Sequence, residues 1–297
     1  MASGYTGDRN RQAVTFSANP NTKAGRMAIE RESDYRHALI GSAYADTMPE
    51  PGNKQPKRQR KPKAEKPKEE KPKDNFTPAK SKKAAVEYAK KELGFEKVSY
   101  GTKLDLETIN HINKQVADIQ AKYPETKGAV SELEVSSSGR MYASITTENS
   151  GRMTFTISSK LYGNGLDALE IQYQKDVEAG FHPKGTSAKD IVWHEYGHVY
   201  AGIQCKKMYG AAANEPVPHR NRYLFMIDKS SGEWERDVLI NAAQSLGKRQ
   251  GQVQSAISRY AEKNVAETFA EAFAEFNGSP NPSPECLALM KAAGILK

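Results

Sequence analysis

His194-Glu195-Tyr196-Gly197-His198 brings together the side chains of a metal centre. The surrounding residues read as a helix. Side chains four apart on a helix share a face, so both imidazoles reach one metal ion. Glu195 points about a quarter turn away, where a carboxylate serves as a base toward a metal-bound water instead of as a ligand. This is the chemistry of a zinc hydrolase, most directly a peptidase. The alternative, a surface helix carrying His-Glu-His by coincidence, conflicts with its neighbours. Ile191, Val192 and Trp193 precede the motif, and Val199, Tyr200, Ala201 and Ile203 follow it. A helix apolar on nearly every side is buried, and buried histidines and glutamates need partners. Ser187 and Asp190 match a capping box at the helix start. Gly197 costs a helix about 1 kcal/mol against alanine, which predicts another backbone passing close at that point.

A tetrahedral ion with one open position needs a third protein ligand. A histidine six residues after His198, preceded by a glycine, would supply it in one known arrangement, but the chain has Ala201 and Gln204 there. The other source is a glutamate on a later helix. In the segment Asn264–Phe276, Glu267, Glu271 and Glu275 recur every four residues along one stripe, with Phe269, Phe273 and Phe276 on the opposite side. Ala266, Ala270 and Ala274 flank the carboxylates and allow another helix to approach. The spacing alone admits Glu267 or Glu271 as the ligand, and equally an acidic face turned to solvent.

His194 and His198, with Ser258-x-Tyr260 and Glu267-x-x-Ala270-Glu271, resemble the gluzincin-type catalytic domain of anthrax lethal factor and related zinc peptidase domains of phage and mobile-element proteins. The resemblance spans about residues 140–280 and leaves a 69-residue step between His198 and Glu267 that no motif fills. It implies Zn2+ held by His194, His198 and Glu267, with Glu195 as general base and the Tyr260 hydroxyl steadying the oxyanion. It also implies that Glu271 stands behind a ligand. The swap, with Glu271 as ligand and Glu267 behind it, stays open. In such folds an edge strand just upstream of the motif helix binds the substrate backbone by strand addition. By the resemblance, Thr154, Phe155, Thr156, Ile157 and Ser158 form that edge.

The elements that must position these residues are partly readable. Residues 81–93 predict a helix ending at Gly94. Leu106, Ile109, Ile112, Val116 and Ile119 mark a second helix, stopped by Pro124. Residues 130–135, 141–147 and 152–157 read as strands separated by turn residues. His111 reads as a partly exposed histidine and His182 as a loop histidine near the helix start. Residues 211–222, with Pro216 and Pro218, read as a loop long enough for a lid, and 231–246 as a helix. Cys205 and Cys286 lack C-x-x-C spacing, so no disulfide framework is expected. The expected fold is an α+β zincin-like domain over 81–297, with a small, mostly antiparallel sheet, the active-site helix and C-terminal helices.

Ahead of it the composition changes. Lys54–Lys73 holds ten Lys/Arg and three Glu, a net +7 within a chain of 297 residues and net +8. Residues 51–80 therefore read as a disordered, extended Lys/Pro linker, in the first place a solvated spacer, whose alternative role is to draw acidic partners by charge alone. Nucleic acid or phage structural proteins are the candidate partners. Residues 1–50 are polar, and 23–45 reads either as a docking helix that folds on a partner or as disorder with a transient helix. No apolar secretory segment and no membrane span is expected, which points to a bacterial cytoplasm or a virion. The leading expectation is a zinc endopeptidase acting on proteins or peptides. The other classes are a phage-particle docking protein carrying a zincin-like domain and a toxin or effector peptidase.

Overall fold

The computed structural model describes residues 76–139 and 141–297, all within the unit Pro72–Lys297. The segment 1–50 with its expected helix 23–45, and the linker up to residue 75, lie outside the described residues. Packing begins slightly earlier than residue 81. Phe76 meets Tyr88 edge-on with ring centroids 5.3 Å apart, and Ala79 exchanges backbone hydrogen bonds with the Asn110 amide at 2.9 and 3.0 Å.

Helix α1, Lys82–Lys91, starts at Ser81, whose hydroxyl accepts the Ala84 N–H. Helix α2, Leu106–Lys122, is capped by Asp105 and buries Ile109, Ile112, Val116 and Ile119, the expected stripe. His111 is half-buried on its flank.

Four strands follow: β1 (Lys97–Val98), β2 (Val130–Ser136), β3 (Ala143–Thr147) and β4 (Met153–Ser158). Their order in the sheet is β1-β2-β4-β3. β1 and β4 both run parallel to β2, and only β3 runs antiparallel, against β4. The sheet is therefore mixed, not mostly antiparallel. Thr154–Ser158 is not an edge either, because β4 is hydrogen-bonded on both sides. The edge is β3. Alternation along β4 sends Met153, Phe155 and Ile157 into the core at full burial, but alternation reports which face is buried and says nothing of which rim is paired.

Helices make up the rest: α3 (Ser159–Tyr162), α4 (Leu166–Glu178), α5 (Asp190–Met208), α6 (Arg222–Ser231), α7 (Glu233–Leu246), α8 (Gln250–Ile257), α9 (Val265–Gly278) and α10 (Pro284–Ala292). The class is α+β. Helix α5 is buried over most of its length because it lies between two layers. On one side Tyr196 meets Phe155 of the sheet, centroids 6.2 Å apart. On the other, Tyr200 packs on Phe269 and Phe273 of α9 at 6.2 and 5.9 Å. Among the described residues no helix is long and apolar enough to cross a membrane.

Both cysteines are free and buried. Cys205 closes a small apolar cluster with Ala211, Val217 and Phe225 at the far end of α5. The 211–222 segment belongs to that end. The Val217 N–H donates to the Ser150 carbonyl at 2.8 Å and the Ala213 carbonyl accepts Lys206 Nζ at 2.7 Å. No residue of 211–222 lines the cavities beside the motif, so the lid reading is withdrawn.

Candidate metal centre

The start of α5 departs from a full capping box. The Asp190 carboxylate accepts the Ser187 N–H at 2.7 Å, the back-reaching half of the motif. The Ser187 hydroxyl donates to the same carboxylate instead of accepting from the helix. One turn later His194 is buried and His198 half-buried on one face, with rings 5.0 Å apart and nearly perpendicular. Opposite them stands α9. Asn264 caps it by accepting the Glu267 N–H at 2.9 Å, which fixes the first turn and so the direction of the Glu267 side chain.

Gly197 is where α5 and α9 meet. A Cβ on Gly197 would stand 2.8 Å from Ala270 Cα and 3.2 Å from Phe273 Cβ. The neighbouring backbone expected from the sequence is α9, and the close approach brings Glu267 against the histidines. Oε2 of Glu267 lies 3.2 Å from His194 Nε2 and 3.3 Å from His198 Nε2. The oxygen is buried and makes no hydrogen bond. His194, His198 and Glu267 thus offer three donor atoms, all within 4.8 Å of one another. A buried carboxylate oxygen facing two imidazole nitrogens is satisfied by a cation, either a protonated imidazole or a metal ion, and the donor set present suits a metal ion.

Glu271 sits behind this triad, fully buried. Its Oε1 is 2.8 Å from His194 Nδ1, close enough for an ion pair but not aligned as a hydrogen bond. It accepts Nδ1–H of His182 at 3.1 Å and the Ser258 hydroxyl at 2.8 Å. Glu271 pairs with His182 and His194 and not with His198, whereas Glu267 faces both motif histidines, so the geometry favours Glu267 as the ligand. His182 is a loop residue, as expected, but it is buried inside the site and stacked on Tyr173 with centroids 4.7 Å apart. Sequence reasoning missed its role. Two backbone bonds bring it there, from Arg259 N–H to Gly180 and from Tyr260 N–H to Phe181, and they carry Tyr260 into place as well. The nearest sequence signal is an apolar residue and a proline on either side of His182, which hints at burial without naming a partner.

The electrostatics follow from crowding. Burial alone would raise Glu271, but His182 and His194 bring its carboxyl down to about 2. Burial likewise opposes the two imidazoles at Glu267, which hold that carboxyl well below the ordinary range. Burial would lower His194, yet Glu267 and Glu271 hold its pKa well above that of a free imidazole. Glu195 moves the other way: burial raises its pKa, with His194 and His198 opposing. Its carboxylate also takes the backbone N–H of Ile145 in β3. Burial and then Glu267 raise the Tyr260 hydroxyl, so it stays a donor at neutral pH. The Tyr260 ring is 5.7 Å from that of His194.

Met141, Ala143, His194, Glu195 and Tyr260 lie between two cavities of about 300 and 250 Å³. The second also takes in Ser144, Ile145 and Thr147, so β3, not Thr154–Ser158, borders the site. Compared with protein-family models, curated proteins and solved structures, the chain matches none of them.

Proposed function

We propose that the chain is a zinc-dependent endopeptidase with a zincin-type domain. The observation that carries the reading is the convergence of two Nε2 atoms on the buried Glu267 Oε2, which makes no hydrogen bond, at 3.2 and 3.3 Å. Ligands bound tetrahedrally to zinc at about 2.0–2.1 Å stand about 3.3 Å from each other. Two imidazoles and one carboxylate form a borderline donor set that suits zinc better than calcium or magnesium.

Zinc, when bound by His194, His198 and Glu267, supplies a Lewis acid that polarises a carbonyl and makes water acidic near neutral pH. The protein's own groups then act in turn. The substrate backbone lies along the free rim of β3 as an added strand. Glu195, its pKa raised by burial, takes the proton of the attacking water and returns it to the leaving amine. The Tyr260 hydroxyl donates to the oxyanion that forms at the attacked carbonyl. Glu271, itself held by His182 and Ser258, fixes the His194 ring.

Metal analysis of the purified chain with proteolysis by Glu195→Gln tests this. The expected result is about one zinc per chain in both forms, and cleavage of a denatured protein substrate only by the unmutated one. Absence of stoichiometric zinc, or equal cleavage by both forms, would overturn the reading.

A further inference from the structure

The larger cavity opens beside the centre, with His194, Glu195 and Tyr260 among its lining residues. Its walls are aromatic. Tyr142 and Tyr173 stand with centroids 5.8 Å apart, and Phe181 packs on Tyr260 at 4.9 Å. Asp176, from the last turn of α4, is half-buried in this wall. Its Oδ2 accepts the Tyr142 hydroxyl at 2.6 Å and its Oδ1 faces the Gln172 amide at 3.4 Å. Among the described residues no cation pairs with it. Lys263, the one lysine of the lining, is exposed, with its Nζ 4.2 Å over the Tyr260 ring. A second polar atom waits in the same lining: Nε2 of His182 is buried and has no partner. With Nδ1–H given to Glu271, a neutral His182 presents that nitrogen as an acceptor.

We propose that this cavity is the subsite for an arginine or lysine side chain of the substrate adjoining the scissile bond, with Asp176 reading its cation. The inference rests on the peptidase reading. An apolar side chain would leave the Asp176 charge desolvated without a counter-ion and His182 Nε2 without a hydrogen bond. An acidic one would meet Asp176 and Glu195. A long side chain with an apolar stem and a cationic head suits aromatic walls ending in a carboxylate, and about 300 Å³ is at the small end for a ligand pocket, the scale of one side chain.

The test digests a peptide library with the zinc-loaded full chain and maps the new termini by mass spectrometry, with Glu195→Gln as control. Arg and Lys are expected to dominate one of the two positions flanking the cut. For a matched pair of peptides, basic and norleucine, Asp176→Asn is expected to lower the ratio of their kcat/KM values roughly tenfold or more. Asp176→Lys is expected to turn the preference toward acidic residues, and a folded variant is verified by its melting temperature. Cleavage with no basic preference, or an unchanged ratio in Asp176→Asn, overturns the subsite and leaves the peptidase standing. Absence of any cleavage that depends on Glu195 overturns both.

Discussion

Replacing Gly197 by alanine sets the helix packing against the metal centre. The new Cβ would stand 2.8 Å from Ala270 Cα, where carbon atoms prefer about 3.5–4.0 Å. The helices must therefore part by about 0.7 Å or more at this point. Alanine gains about 1 kcal/mol of helix propensity, and overpacking costs about 1–3 kcal/mol, so the metal-free fold loses about 0–2 kcal/mol. The metal centre suffers more. Glu267 lies one turn before Ala270 on the same helix and moves with it, while metal–ligand distances tolerate only about 0.2 Å. Zinc affinity is expected to fall at least tenfold, about 1.4 kcal/mol. Competition against a chromophoric chelator measures the affinity, and thermal melts of the metal-free protein measure the fold. Adding Ala270→Gly should restore little, because the closest contact is to a backbone atom. A Gly197→Ala protein with unchanged zinc affinity would refute the coupling between packing and site, whatever its melting temperature.

Glu271→Gln, which removes the charge facing His194 and His182, is expected to weaken zinc binding about 10- to 100-fold by the same competition assay. Zinc at about one hundred times its dissociation constant should stabilise the chain by about 2.7 kcal/mol, and a chelator should abolish this; a melting temperature indifferent to chelation would count against a built site. Asp190 gives a pH signature. It is fully buried, its Oδ1 has no partner, and burial raises its pKa from 3.8 to about 6. The folded chain thus holds that proton more tightly than the unfolded one, and the associated stability is present below about pH 4 and lost as pH rises to about 6. Metal-free Asp190→Asn should therefore gain on the unmutated protein across that window, by up to about 3 kcal/mol. Parallel stability curves would contradict this.

What the sequence reveals depends on how local the cause is. The motif helix is readable because its apolar residues and its histidines obey one period. Gly197 and the alanines at 266, 270 and 274 advertise a helix crossing before any partner is known. Glu267 is found by its stripe, although choosing it over Glu271 takes the distances to both imidazoles. The order of the strands is not readable. The pairing of β2 with β4 skips β3, and nothing in either pattern encodes which rim is left over. His182 escapes for a similar reason, since its place is set by backbone bonds to the segment around Tyr260. The loop at 211–222 has a lid's length, but its anchors, Ser150 and Lys206, lie at the far end of α5.

The separation of the donors along the chain has a consequence in time. Two of them lie on α5, but the third arrives only when residue 267 has been made and α9 has docked over Gly197. A chain still being synthesised carries the histidines and Glu195 without the carboxylate that completes the metal set. On the peptidase reading proposed above, hydrolytic competence would follow the domain's own folding, and the nascent chain would be shielded from itself by the order in which its parts appear.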